Sequence, residues 1–303
     1  MPDTSTAADA FALLGDPTRL EIVRALGESG PFDPLPFSTL KQRVGVADSG
    51  RFSYHLDRLV DGVVEQTDDG YKLRMPGVLV YQLMEAGVAA TGHDPIGPLD
   101  TGIGCRHDCG GTYEASYIDF RFSLACPSCG HDPVSYPVDP GSFRRDGLPE
   151  SLLDAADDRL KRDAFTMRLG RCPYCAGPVE GSLGSETADS AAEVCAAGLP
   201  AEGRAPTHRW TCTRCQWVFD ARSGGVALVD PRIAGAFADA GIDTLSVAPW
   251  SERYEWSERL VSDDPVRIEL SMRIDDVALT AVFGERFEVV ELRDRVTPAS
   301  SEK

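Results

Sequence analysis

Eight of the nine cysteines fall into two tetrads. The first joins Cys105-x3-Cys109 to Cys126-Pro-Ser-Cys129, and the second joins Cys172-Pro-Tyr-Cys175 to Cys212-Thr-Arg-Cys215. A short loop between two cysteines sets both thiolates on one tight turn, and two such turns face to face make a tetrahedral cage of four sulfurs. One pair alone could be a redox dithiol. Two pairs at this spacing, twice in one chain, point to metal, and the all-sulfur donor set points to Zn2+. Four sulfurs leave no open coordination position, so each of the two ions is expected to be structural rather than catalytic. In the first tetrad His107 and His131 could compete as ligands. The ninth cysteine, Cys195, stands among Ala, Gly, Ser and Glu without a recognisable activating neighbour and reads as a loop thiol.

No other pattern of reactive side chains stands out. Gly-x-Ser-x-Gly, a phosphate-binding loop and His-Glu-x-x-His are all missing, so no enzymatic activity is expected. An enzyme hidden in the C-terminal half would need a polar pocket between the cysteine modules and residues 231–303. The charge balance is strongly acidic, with 30 Lys+Arg against 48 Asp+Glu and a net charge of -18. Only four of the basic residues are lysines, against 26 arginines, and 30 aspartates outnumber 18 glutamates. Acidic, Asp-rich, Lys-poor chains resemble those of halophilic archaea, whose cytosol is rich in KCl. No signal-peptide core and no run of about 18 apolar residues is present. The chain is therefore expected to be soluble, cytoplasmic and free of membrane contact. Thiols in that compartment stay reduced, which favours metal over disulfides.

At 303 residues the chain should hold more than one domain. Near the N-terminus Asp16-Pro17-Thr18-Arg19 starts a helix: Asp16 can cap it, Pro17 suits its first position, and Leu20, Val23 and Leu26 share a face. A short helix over 37–44 follows a Pro-rich loop. In the next segment, Asp48–Val60, Phe52, Leu56 and Leu59 form a core stripe and leave Arg51, Ser53, Tyr54 and Arg58 pointing elsewhere. Asp68-Asp69-Gly70 between strand-like runs signals a hairpin, and an apolar helix over about 76–90 closes the unit. Residues 92–104 read as linker. Beyond them come the first cysteine module (103–140), a connecting helix (149–168), the second module (169–228) with a loop-like insertion at 181–205, and a C-terminal module (231–303) of one helix and three antiparallel strands. A cysteine module of about 35 residues has too little core to fold alone, and structural zinc contributes on the order of 10 kcal/mol to such a fold.

The order helix, helix, helix, hairpin, helix, together with Leu-Gly-Asp-Pro-Thr-Arg-Leu-Glu-Ile at 14–22 and Phe-Ser-Tyr-His-Leu-Asp-Arg-Leu-Val at 52–60, resembles the winged helix-turn-helix of ArsR-type transcription regulators. The resemblance covers roughly residues 6–90, within an expected DNA-binding domain of 6–92, and the cysteine modules resemble zinc ribbons. It implies that Asp48–Val60 enters the major groove of double-stranded DNA, with Arg51 the first candidate for a guanine and Ser49, Ser53 and Tyr54 beside it. It also implies phosphate contacts from Arg58, from Lys41 and Arg43 on the preceding helix, and from Lys72 on the wing, and a homodimer formed through the first and last helices (7–14 and 76–90). Residues 1–92 carry 8 basic and 13 acidic side chains, yet within 38–60 Lys41, Arg43, Arg51 and Arg58 outnumber Asp48 and Asp57. His55 is expected to pack or cap rather than read a base. The family's metal-sensing cysteines have no counterpart over 40–47 or 76–90.

The expected fold class is thus α+β and multidomain: an N-terminal winged helix-turn-helix, two zinc-ribbon-like modules, and a C-terminal helix with antiparallel strands. The expected function is a DNA-binding transcriptional regulator with an unidentified small-molecule or protein effector. The alternative is a protein-interaction adaptor of the transcription or RNA machinery that reads no DNA sequence, and the two aspartates at the wing tip, which would repel phosphates, argue in its favour.

Overall fold

The computed structural model describes residues 4–88, 94–107, 109–184 and 207–296. The chain divides after residue 91 into two compact units. The N-terminal unit runs α1 (Thr4–Leu14), α2 (Pro17–Glu28), α3 (Phe37–Val44), α4 (Ser49–Leu59), β1 (Val64–Thr67), β2 (Gly70–Leu73) and α5 (Met75–Glu85). Local chemistry sets these boundaries. The Asp16 carboxylate accepts the Thr18 N–H at 2.8 Å and starts α2, with Pro17 at its first turn. Asp48 caps α4 through the Arg51 N–H at 2.6 Å. Gly45, left-handed at φ 74°, ends α3. The apolar stripe of α4 meets Ile22, Val23 and Leu26 of α2, Leu40 of α3, and Val64 and Leu73 of the hairpin in one core. Full burial of such a side chain contributes about 1.5–3 kcal/mol.

The loop before α3 does more than connect. Leu35 exchanges two backbone hydrogen bonds with Tyr71 of β2, at 2.8 and 2.9 Å. Its neighbours Pro34 and Pro36 have no N–H, so Leu35 is the only residue of that trio that can donate to the hairpin. Gly70, at φ 137°, makes room for it: a Cβ there would lie 2.2 Å from the Leu35 carbonyl oxygen. The hairpin pairs Val64 with Leu73 and Thr67 with Gly70, which leaves Asp68-Asp69 as a two-residue turn.

The described residues of the C-terminal unit form three antiparallel sheets. The first is β3 (Ile96–Gly104), β4 (Thr112–Ile118), β5 (Arg121–Ala125) and β6 (Val134–Pro137), in that order. After α6 (Glu150–Arg168) comes the second, β7 (Val179–Gly184), β8 (Thr207–Cys212) and β9 (Val218–Ala221). The short α7 (Ser223–Val226) and α8 (Pro231–Ala238) lead to the third, β10 (Tyr254–Asp263), β11 (Val266–Ile274), β12 (Val277–Phe283) and β13 (Val289–Val296).

Two sequence expectations change here. Residues 96–104, read as linker, form the edge strand β3. Gly97, Pro98 and Gly102 hide its alternation, and its ladder with β4 shifts register between Ile96 and Leu99 and again between Asp100 and Gly104. The tail has four strands rather than three, because β10 is a mostly exposed edge strand with little apolar signal. Of the expected insertion 181–205, residues 181–184 belong to β7; the rest, with Cys195, lies outside the described residues.

One apolar core runs through all these segments. It includes Tyr113 and Phe122 of the first sheet, Leu152 and Leu160 of α6, Trp210 and Phe219 of the second sheet, Phe237 of α8 and Phe283 of the third. A buried polar network reinforces it around α6. Asp163, fully buried, accepts from Tyr136 Oη at 2.9 Å, Arg159 Nε at 2.7 Å and Arg162 Nε at 3.0 Å. Arg159 also pairs with Asp139 and stacks its guanidinium 5.1 Å from the Tyr174 ring centre. Burial, with Asp163 beside it, raises the Tyr136 hydroxyl well above its ordinary pKa, so the proton stays and donates. No helix among the described residues is long and apolar enough to cross a membrane.

Candidate functional sites: two cysteine cages and a basic helix face

Each cysteine pair sits on the same kind of turn. The N–H of the leading cysteine donates to the carbonyl two residues past the trailing one: Cys105 to Gly111 (2.8 Å), Cys126 to His131 (2.8 Å), Cys172 to Gly177 (2.9 Å) and Cys212 to Trp217 (2.9 Å). The residue directly after the trailing cysteine is left-handed in all four: Gly110 at 75°, Gly130 at 76°, Ala176 at 55° and Gln216 at 60°. For Ala176 and Gln216 that conformation costs about 1–2 kcal/mol, which the turn must offset.

The turns meet in pairs. Cys105 Sγ lies 3.6 Å from Cys129 Sγ, and Cys109 Sγ lies 3.5 Å from Cys126 Sγ. In the second cage Cys172 and Cys215 are 3.7 Å apart, and Cys175 and Cys212 are 3.5 Å apart. All four sulfurs of each group fall within 4.8 Å of one another. A tetrahedral ion with metal–sulfur bonds of about 2.3 Å has edges of about 3.8 Å, so both cages fit a metal ion of that geometry. The approach is tight enough to need glycine at one equivalent place in each cage. A Cβ on Gly111 would come within 2.6 Å of Ser128 Oγ, and one on Gly177 within 2.7 Å of the Arg214 Cβ and 3.1 Å of Cys212 Sγ. The sequence reading did not single out these glycines, although both stand two residues after a trailing cysteine.

One thiol in each cage is prepared for ionisation. Burial pushes Cys126 up, but the N–H groups of Cys129 and Ser128 outweigh it and hold the thiol at about 7. The Cys215 N–H, against burial and with the help of the Arg214 N–H, brings Cys212 down to about 6. The two histidines that could have competed lie apart from this donor set. His107 and His131 stack at 3.8 Å, and His131 Nδ1 is 2.7 Å from Tyr113 Oη. Each four-sulfur set is a closed site that can hold one ion and offers no position for a substrate.

In the N-terminal unit, Ser49, Arg51, Tyr54 and Arg58 of α4 are exposed and Ser53 is half-buried. The Arg58 guanidinium lies 5.6 Å from the Tyr54 ring centre, and Ser53 Oγ donates to Asp57 at 3.3 Å. Lys41 Nζ donates to Ser49 Oγ at 2.6 Å, joining the end of α3 to the start of α4, with Arg43 exposed nearby in sequence. Among the described residues Arg43, Arg51 and Arg58 pair with no carboxylate. Lys72 does: its Nζ is 3.6 Å from Glu65 on the facing strand, and Asp68 and Asp69 are exposed at the turn. His55 is buried, with Nδ1 3.5 Å from the Asp16 carboxylate. Apolar residues stand exposed on two helices: Phe11 on α1, and Met75, Leu79 and Leu83 in a row on α5.

The larger unit is therefore a single α/β body built around two four-cysteine ribbon-like modules. Residues 104–289 match the domain of unknown function DUF7351, more than half of the chain, and the protein belongs to that family. Residues 7–84 match a second domain of unknown function, DUF7347. No curated protein and no solved structure matches the chain.

Proposed function

We propose that this protein is a cytoplasmic DNA-binding transcriptional regulator whose N-terminal unit is an ArsR-type winged helix. In this reading α4 is the recognition helix, the hairpin with Leu35 is the wing, and the exposed apolar row of α5 with Phe11 of α1 pairs two copies into a homodimer. Both cysteine cages hold Zn2+ as a structural ion, through Cys105, Cys109, Cys126 and Cys129 in one and Cys172, Cys175, Cys212 and Cys215 in the other. The observation that carries the reading is the set of exposed arginines, Arg43, Arg51 and Arg58, which among the described residues have no carboxylate partner in a chain with 48 acidic residues. Unpaired guanidiniums on α4, with Arg43 on the preceding helix α3, suit phosphates and guanine edges. Phosphate contacts lose affinity steeply with salt, at a slope of roughly -0.9 per contact, so specificity in a KCl-rich cytosol would rest on base edges.

Chromatin immunoprecipitation of the tagged full chain tests this, with Arg51→Ala and Lys72→Ala as controls. Discrete promoter peaks that Arg51→Ala abolishes and Lys72→Ala retains are expected, since Lys72 already has Glu65 beside it. The acidic turn Asp68-Asp69 favours the adaptor reading. Peaks that follow the polymerase and survive Arg51→Ala would establish it and overturn the regulator.

A further inference from the structure

A cavity of about 380 Å³ opens inside the C-terminal unit, between the two ribbon-like modules and β10. That volume suits a small organic molecule. Tyr136, Phe219, Trp250 and Trp256 give it aromatic walls. These walls are held in place from behind. Trp256 lies flat against Gly224, where a Cβ would come within 2.0 Å of the indole. Phe219 meets Tyr136 edge-on at 5.3 Å, and Trp250 packs on Phe122 at 5.7 Å.

The charged groups on the wall differ in how fully they are used. Asp220 takes two hydrogen bonds from Arg209, at 2.7 and 2.9 Å. Glu258 pairs with Arg222 and accepts the Ser223 N–H at 2.9 Å. Both carboxylates are thereby neutralised within the protein. Arg106 is not. Its Nη2 is fixed by the carbonyls of Pro249 (2.6 Å), Ser251 (3.2 Å) and Tyr254 (2.6 Å), which aim the group without balancing its charge. Its Nε and Nη1 make no hydrogen bond, and it forms no ion pair, among the described residues. A positioned guanidinium with free N–H groups beside a rigid aromatic wall is a carboxylate receptor.

We infer that this cavity binds a flat aromatic small molecule bearing a carboxylate, with its ring against Trp250 and Trp256 and its carboxylate on Arg106. The inference goes beyond the DNA-binding reading and stands without it, because it rests only on residues of the C-terminal unit. The paired state of Asp220 and Glu258 suits holding a ligand rather than transforming one.

Calorimetric titration of the metal-loaded full chain with 2-naphthoate, and with the uncharged 2-naphthalenemethanol, tests the site. Naphthoate should bind about tenfold more tightly than the alcohol, the worth of one charge-assisted hydrogen-bonding pair. Arg106→Gln should erase that preference. Gly225→Leu should abolish binding of both probes, because Gly225 lies on the cavity wall and a Cβ added there meets no atom within 4 Å, which leaves room for a larger side chain to occupy the cavity. Metal content and melting of the Gly225→Leu protein should match the parent. Equal affinity for the two probes in the parent would overturn the carboxylate assignment. Absence of binding at millimolar naphthoate, or binding that survives Gly225→Leu, would overturn the site itself.

Discussion

The N-terminal unit closes on Ile22, Val23, Leu26, Leu40, Phe52, Leu56 and Leu59, contributed mainly by three short helices, and its prominent polar contacts are caps such as Asp16 and Asp48. The C-terminal unit also has an apolar core, but it adds a buried network around Asp163 and eight cysteines in two cages. The contrast follows from the elements available. Helices of 8 to 12 residues with apolar stripes bring whole faces to a shared core. The cysteine modules have strands of four to nine residues, with Gly and Pro breaking up β3, and their turns bury little beyond leading cysteines such as Cys105 and Cys126 and the Tyr174–Trp217 contact. Such turns need links that do not depend on buried area, and four sulfurs placed to hold one ion can supply them.

The largest break in this comparison should come from Cys212→Ser. Loss of one of two bound zinc ions and unfolding of the C-terminal unit at moderate temperature are expected, on the order of 10 kcal/mol for a structural site, while the melting of residues 1–91 persists. Metal analysis with calorimetry checks it; a protein that keeps both ions would remove the second cage. The converse test is Leu26→Ala. This fully buried side chain should cost the N-terminal unit about 2–5 kcal/mol and leave zinc content and the second transition unchanged. Joint melting of both units in that variant would end the contrast between them.

A smaller effect distinguishes the two cores by pH. Burial drives the His208 pKa down to about 3, and its Nε2 sits 2.9 Å from Ser223 Oγ. The unfolded imidazole takes a proton below about 6.5, and the folded one does not until about 3. The stability it supports is therefore complete above pH 6.5 and is lost as the pH falls from there toward 3. Between pH 6.5 and 5 the C-terminal unit should lose about 2 kcal/mol through this group, a loss that His208→Gln should not show. Denaturant unfolding at both pH values, with zinc retained, measures the difference. Parallel slopes for parent and variant would place the pH response elsewhere.

Legibility in the sequence tracked how local each feature is. The range 37–44 of α3, the Asp16 cap, the hairpin turn and the four cysteine pairs were readable because each depends on residues a few positions apart. The Gly111 and Gly177 positions were there to be read as well, as part of the same turn. Edge strands β3 and β10 were not, since each is stabilised by a neighbouring strand rather than by its own pattern. The Leu35–Tyr71 bridge hid inside a Pro-rich loop for the same reason.

What the sequence by itself determined is therefore the set of turns, caps, apolar stripes and cysteine pairs, because spacing along the chain controls which atoms can meet within one or two turns of backbone. Only the tertiary structure decided that the ribbon-like modules, α6 and the tail share one core, that Asp163 joins Tyr136 to Arg159, and that among the described residues Arg106 is left with free donors at an aromatic cavity. Those contacts join residues up to 148 positions apart, as between Arg106 and Tyr254. At such separations no local preference selects the partner; the packing of the whole unit does.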